Sequence, residues 1–181
     1  MTTKSELLQM IDALKIAALA LPSDGATTPP TPAPGNQAAA YGVQVLLATT
    51  AGVYWRCVSV VHLPPTQNRG RRGIYVQALE ADGRRARDSR LRIGWGWKGQ
   101  QAWEGIAPAP LDKQDGETGH GVVDLNSQEQ VTTVWITGDG YPSDRVTGMH
   151  TKHPDERAPG GEIWNSQGHH SFVVIFQRTV P

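Results

Sequence analysis

Four of the six histidines fall between His150 and His170, in the stretch HTKHPDERAPGGEIWNSQGHH, together with Asp155, Glu156 and Glu162. Imidazole and carboxylate groups at this density are what a zinc site or acid–base catalysis would use. The spacing argues against a regular site. His150 and His153 would share a face of a helix, but Pro154 follows at once and the stretch is rich in Gly and Pro. On a strand they would point to opposite sides. No His-Glu-x-x-His pair is present to place two ligands on one helical face. A loop site built from His150, His153, Asp155 and His169 or His170 is the metal-binding alternative, and with it a metal-dependent hydrolase. The preferred expectation is that no metal or cofactor is bound. The histidines, Asn165 and Ser166 then satisfy backbone groups of a long ordered loop. Long loops of this kind are usually functional, so the same loop is expected to supply a binding edge. Asp139 and Asp144 in GDGYPSD have the chemistry for calcium but not the spacing of an EF-hand loop. A turn closed by Asp side chains is the simpler expectation.

Aromatic residues are the other chemical resource, with six tryptophans in the chain. In RLRIGWGWK, alternation along a strand puts Leu91, Ile93, Trp95 and Trp97 on one face, which the aliphatic pair marks as core. The other face carries Arg92, Gly94, Gly96 and Lys98, flat at the glycines and open to close approach by another chain or a flat ligand. Trp55 shares a face with Val53, Cys57 and Val61 and reads as core. Trp103, Tyr141 and Trp164 sit among Gly, Pro and charged residues. There an aromatic ring can stack on the C–H face of a pyranose while polar neighbours bond its hydroxyls. The candidate glycan- or surface-binding set is therefore Trp103, Tyr141, Trp164, Asn165, Glu162 and Arg92. An alternative role for Trp164 is to plug the end of the domain.

The sequence lacks a Gly-x-Ser-x-Gly elbow, a phosphate loop and a Cys-His arrangement. Carboxylates are plentiful, but nothing pairs two of them as a glycosidase requires. The lone cysteine, Cys57, lies in an apolar run and reads as core. A non-enzymatic protein is expected. Lys plus Arg equals Asp plus Glu at 17 each, which argues against nucleic acid as a partner. The balance hides segregation, with eight arginines from Arg69 to Arg92 and six acids from Glu104 to Glu129. These read as complementary faces, within one molecule or between copies.

The elements that must position these residues divide the chain into three parts. Residues 1–21 predict a helix, with Thr3 and Glu6 at capping-box spacing. Leu7, Ile11, Leu14, Ala18 and Leu21 make an apolar seam that needs a partner, whether copies of itself or a larger assembly. This stretch is too short to span a bilayer. Interrupted by Asp12 and Lys15, it also makes a poor signal peptide, so the protein is expected to be made in the cytoplasm without one. Residues 22–40 form a Pro-rich extended linker that can reach roughly 60 Å. Residues 41–181 change to strand patterns. YGVQVLLATT and GVYWRCVSVVHL come first. A pair of strands follows, joined through Asp82-Gly83 by a connection longer than a minimal hairpin. GHGVVDL and QVTTVWI come next. The last, SFVVIFQRT, is apolar on both faces and predicts a central strand. The expected class is mainly β, an antiparallel β-sandwich of immunoglobulin-like or jelly-roll type.

Residues 54–179 run from YWRCVSVVHLPPTQNRGRRGIYVQALEADGRR through LRIGWGW and SDRVTGMHTKHPDE to GGEIWNSQGHHSFVVIFQRT. They resemble a family of β-domains at the C-terminal ends of bacterial and phage peptidoglycan hydrolases, including lysozyme-like glycoside hydrolases. The resemblance implies a non-catalytic accessory module that binds cell wall or another glycan. It carries no set of binding residues over. In place of a hydrolase domain the chain has the apolar helix and linker, which points away from a lysin. The expectation is a display protein, such as a phage virion decoration or fibre-like component, located on the virion surface. Its helix anchors it in a homo-oligomer or larger assembly, and its β-domain binds glycan or a cell surface. A stand-alone bacterial glycan-binding module is the alternative.

Overall fold

The longer strands form where β-branched and aromatic residues run without proline. The structure, a computed structural model, describes residues 35–48, 51–68, 71–97, 106–125, 130–151 and 170–180. The seam of Leu7, Ile11, Leu14, Ala18 and Leu21 lies outside these residues. The strands are β1 (Gly35–Asn36), β2 (Gln44–Leu46), β3 (Trp55–Leu63), β4 (Gly73–Leu79), β5 (Arg92–Trp97), β6 (Ala109–Pro110), β7 (Gly121–Val123), β8 (Thr132–Thr137), β9 (Arg145–Met149) and β10 (Ser171–Arg178). A 3-10 turn, Ala39–Tyr41, precedes β2, and one helical turn, α1 (Pro65–Asn68), follows β3. The strands make two five-stranded sheets, sheet A in the order β1-β3-β10-β4-β7 and sheet B in the order β2-β9-β8-β5-β6.

The strand expected at the centre is at the centre. β10 lies between β3 and β4, with Phe172, Val174 and Phe176 in the core and Ser171 and Ile175 covered on its other face. The inner face of sheet A also supplies Trp55, Cys57, Val60, Ile74, Val76 and Ala78. Leu91, Ile93, Val134, Ile136, Val146 and Met149 meet them from sheet B in one shared cluster. Each of the larger side chains contributes on the order of 1.5–3 kcal/mol by leaving water.

Sheet A corrects the expectation of a wholly antiparallel arrangement. β10 is antiparallel to β3 but parallel to β4, and β1 is parallel to β3. Parallel neighbours require a crossover, and between β4 and β10 the chain passes through β5 and β6 of sheet B, β7 of sheet A, and β8 and β9 of sheet B. The paired-strand expectation around Asp82-Gly83 is corrected with it. The tight turn forms, with Gly83 at φ 81° and the Glu80 N–H donating to Arg84 O at 2.7 Å. The chain folds back only as far as Ala86, whose N–H reaches Ala78 O at 2.9 Å. It then crosses to the other sheet, where β5 pairs with β8 and β6.

Two local features shift the residues from where periodicity alone puts them. Opposite β10 the register of β3 jumps from Ser59 to Cys57, so Val58 is a bulge residue. Trp55 and Cys57 therefore share the core with Val60, and Val61 is only half-buried. Residues 35–40, compositionally part of the linker, are built into the fold. Gly35 and Asn36 pair with Ser59 and Val60, and Ala38 is fully buried.

Asp144 joins the two sheets at one end. Its side chain is fully buried and accepts the Ala48 N–H at 2.7 Å and the Cys57 N–H at 2.9 Å. Its own N–H donates to Trp55 O at 2.8 Å, and the Trp55 N–H donates to Pro142 O at 2.8 Å. Asp144→Ala would leave two amides without their acceptor, and we expect a loss of about 3–5 kcal/mol in denaturant unfolding. Asp144→Asn keeps one acceptor oxygen and is expected to recover roughly half of that loss.

Candidate functional site

The two sheets give the domain two ends of different character. At the first end β3, β5 and β9 begin and β4, β8 and β10 finish. Here an aromatic and guanidinium ladder is assembled from distant parts of the chain. The Trp55 indole N–H donates to Asp139 Oδ2 at 2.9 Å. The Arg178 guanidinium lies 4.7 Å from the Trp55 ring centroid and 5.5 Å from that of Tyr141, and its Nη2 reaches Asp139 Oδ2 at 3.3 Å. Glu80 pairs with Arg178 from the other side at 3.3 Å. Tyr141 is the outermost ring, 45% exposed. Its N–H donates to Asp139 Oδ1 at 3.1 Å, which is the Asx turn expected for GDGYPSD. The carboxylates of Asp139 and Asp144 are thus engaged by N–H donors, a structural use and not a cation cage. Alongside, Arg90 forks onto Asp88, whose carboxyl the Arg90 side-chain hydrogen bond holds down at about 2.

Arg92 stands apart from this ladder, on the outer face of sheet B, with Nη1 donating to the Ser89 and Leu91 carbonyls at 2.6 and 2.7 Å. That face is not bare at the glycines. A Cβ on Gly94 would meet the Trp135 indole at 2.2 Å, so the ring of Trp135 occupies the space that Gly94 leaves. The Arg145 guanidinium lies 4.7 Å from the Trp135 ring centroid. The open glycine track expected from RLRIGWGWK is therefore corrected: Gly94 makes room for a residue of the next strand. Trp95 and Trp97, expected in the core, are half-buried, with their ring centroids 5.8 Å apart. The Trp95 indole N–H donates to Ala107 O at 3.1 Å.

The second end lies where β3 finishes and β10 begins. Tyr41, His62, His170 and Phe172 gather there. The Tyr41 and His62 ring centroids are 3.6 Å apart, and those of His62 and His170 are 4.6 Å apart. His62 Nε2 and His170 Nδ1 approach to 2.6 Å. Burial pushes the His62 imidazole down to about 4, helped by the charges of His170 and then His150. The sequence offered no signal for His62, which lies far from the histidine stretch. Segments 98–105, 126–129 and 152–169 all leave the described residues from strand ends on this side, at Trp97, beyond β7 and beyond β9. Trp103, Glu162, Trp164 and Asn165 are in those segments, as are His153, Asp155 and His169, so these site residues lie outside the described part. The candidate set is therefore divided, with Tyr141 at the first end and Arg92 on the outer face of sheet B.

The arginine run meets the acids within one molecule. Arg85 and Arg87 both pair with Asp115, the Arg85 contact at 2.7 Å. Arg84 pairs with Asp82 at 2.6 Å. Glu80 and these arginines line a shallow groove of mixed charge. Burial, then the Asp144 charge, pushes the Cys57 thiol up to about 12, which suits core and not nucleophile. Among the described residues no three His, Cys, Asp or Glu side chains converge as a metal site, and no helix is long and apolar enough to cross a membrane.

Comparison of the chain with known protein families, with curated proteins and with solved structures gave no match in any of the three.

His120 carries a pH consequence. Its Nδ1 accepts the Ala78 N–H at 3.0 Å, and burial, then Arg85, pushes it down to about 4 from the ordinary 6.5. Between these values the unfolded chain holds more protons, so stability is full above pH 6.5 and falls toward pH 4. Asn places an oxygen near Nδ1 and does not titrate. His120→Asn is expected to flatten this part of the pH–stability curve measured by urea midpoint; an unchanged slope would refute the assignment.

Proposed function

We propose that the protein is a non-enzymatic display protein whose N-terminal segment holds it in an assembly and whose β-domain binds glycan or a cell surface. The observation that carries this reading is polarity. The chain joins the domain at β1, which runs parallel to β3 and so enters from the side where the Arg178 ladder lies. The segments holding Trp103, Glu162, Trp164 and Asn165 leave from the opposite end. Connections between the strands of a rigid scaffold are where binding residues are generally found. The two facing sheets support a β-sandwich; the parallel β10–β4 pair sets it apart from a wholly antiparallel immunoglobulin or jelly-roll form. The order of apolar helix, Pro-rich linker and β-domain supports a virion decoration or fibre-like component of a phage.

Two measurements test this reading. Trp164→Ala and Trp103→Ala in the full chain should weaken retention on cell-wall polysaccharide roughly ten- to a hundredfold, taking aromatic stacking as the analogue, with thermal unfolding little changed. If no glycan binds on an array, the sugar reading is wrong. If truncation of Trp164 removes about 3–5 kcal/mol of stability, the side chain is a plug and not a platform. Separately, deleting residues 1–21 should leave a folded domain that no longer assembles. Sedimentation and particle attachment unchanged by the deletion would sink the anchoring role.

A further inference from the structure

We propose that His62 and His170 form a two-imidazole site for a divalent transition-metal ion at the end of the domain from which segment 152–169 departs. The donors come from β3 and from the residue just before β10, two strands whose backbones are locked to each other. His62 is on β3 directly opposite Phe172 of β10, and His170 precedes Ser171, which pairs with Leu63. The start of β10 is fixed further by Ser171. Its hydroxyl donates to Arg71 O at 3.1 Å and accepts the Gly73 N–H at 3.2 Å and the Asn68 side-chain N–H at 3.3 Å. The rings are held as well. Tyr41 packs on His62 at 3.6 Å, and Phe172 lies 5.4 Å from the same ring. The register thus aims Nε2 of one imidazole and Nδ1 of the other at the same small volume, 2.6 Å apart.

Two nitrogens bound to one ion at about 2.0–2.1 Å sit about 3.0–3.4 Å apart. The rings need to part by less than about 1 Å to admit a metal, and His62 is half-buried and not sealed in the core. Imidazole nitrogen as the donor selects zinc, nickel or copper over magnesium and calcium. Water fills the other positions of the shell. This site differs from the one suggested by the histidine stretch alone, because its first ligand lies far away in sequence. An ion there ties β3 to the residue just before β10, where the polypeptide returns from segment 152–169.

The test uses the untagged full chain, stripped of metal with a chelator and titrated with zinc and with nickel by calorimetry. The imidazole nitrogens are followed by NMR. One equivalent should bind, with the nitrogen shifts of His62 and His170 moving first. His62→Asn and His170→Asn should each weaken binding at least tenfold, while His120→Asn leaves it unchanged. Zinc should raise the thermal midpoint of the parent chain and of His120→Asn, but not of the His62 or His170 variants. Circular dichroism of each metal-free variant checks that it is folded. Should either variant prove unfolded, the nitrogen shifts of the parent chain alone decide. No binding, binding that survives both substitutions, or shifts confined to other histidines would overturn the proposal and leave a hydrogen-bonded imidazole pair.

Discussion

A carboxylate buried without a cation must be surrounded by N–H donors, and Asp144 satisfies this in a way that fixes the geometry of the domain. Its two oxygens take amides from the exit of β2 and from β3. Its own N–H and the Pro142 carbonyl before it are stitched to the Trp55 backbone. One side chain therefore brings the edge of sheet B, the start of β9 and the start of β3 to a common point. The Trp55 indole, fixed there, reaches Asp139, and Asp139 in turn reaches Arg178. Polar bonding at this end is dense. The opposite end holds rings packed on one another, with polar ties that include those of Ser171, Asn68 and the imidazole pair. The contrast between the two ends follows from where the buried charge sits.

Much of this architecture is legible in the residues. SFVVIFQRT has no polar face and becomes the middle strand. GDGYPSD becomes the Asx turn its composition suggests, and Asp82-Gly83 turns the chain. Three features are not legible. The bulge at Val58 inverts the phase of β3, because an extra residue leaves no mark in the apolar pattern. The destination of β5 depends on which sheet has space for it, and no local propensity encodes that. The partnership of His62 with His170 depends on register between strands far apart in sequence. Trp135 shows a fourth kind of limit. The small residue on β5 was readable, but the bulky one filling its place is on β8, and only the pairing of Gly94 with Trp135 brings them together.

Charge in this chain serves mainly to organise connections. The arginines after β4 look, in sequence, like a basic surface. In the fold Arg84 and Arg90 fork onto carboxylates two residues away, and Arg85 and Arg87 converge on Asp115. Exposed pairs of this sort add little stability each. Their effect is directional: they hold the long crossover between the sheets in one path. They also neutralise a patch that would otherwise attract polyanions.

The position of β10 has a consequence for how the molecule comes into being. It is the middle strand of sheet A, yet it is the last strand along the chain. On a ribosome, β3 and β4 emerge early and must wait, with the edges facing each other unsatisfied, until residue 178 has been made. Sheet B can pair internally during that interval, because all of its strands, β2, β5, β6, β8 and β9, precede β10 along the chain. The nascent protein is thus asymmetric in time: one layer is able to form early, while the other stays open around a missing centre. Exposed strand edges are templates for other chains, so this gap is where nascent copies are most exposed to pairing with each other.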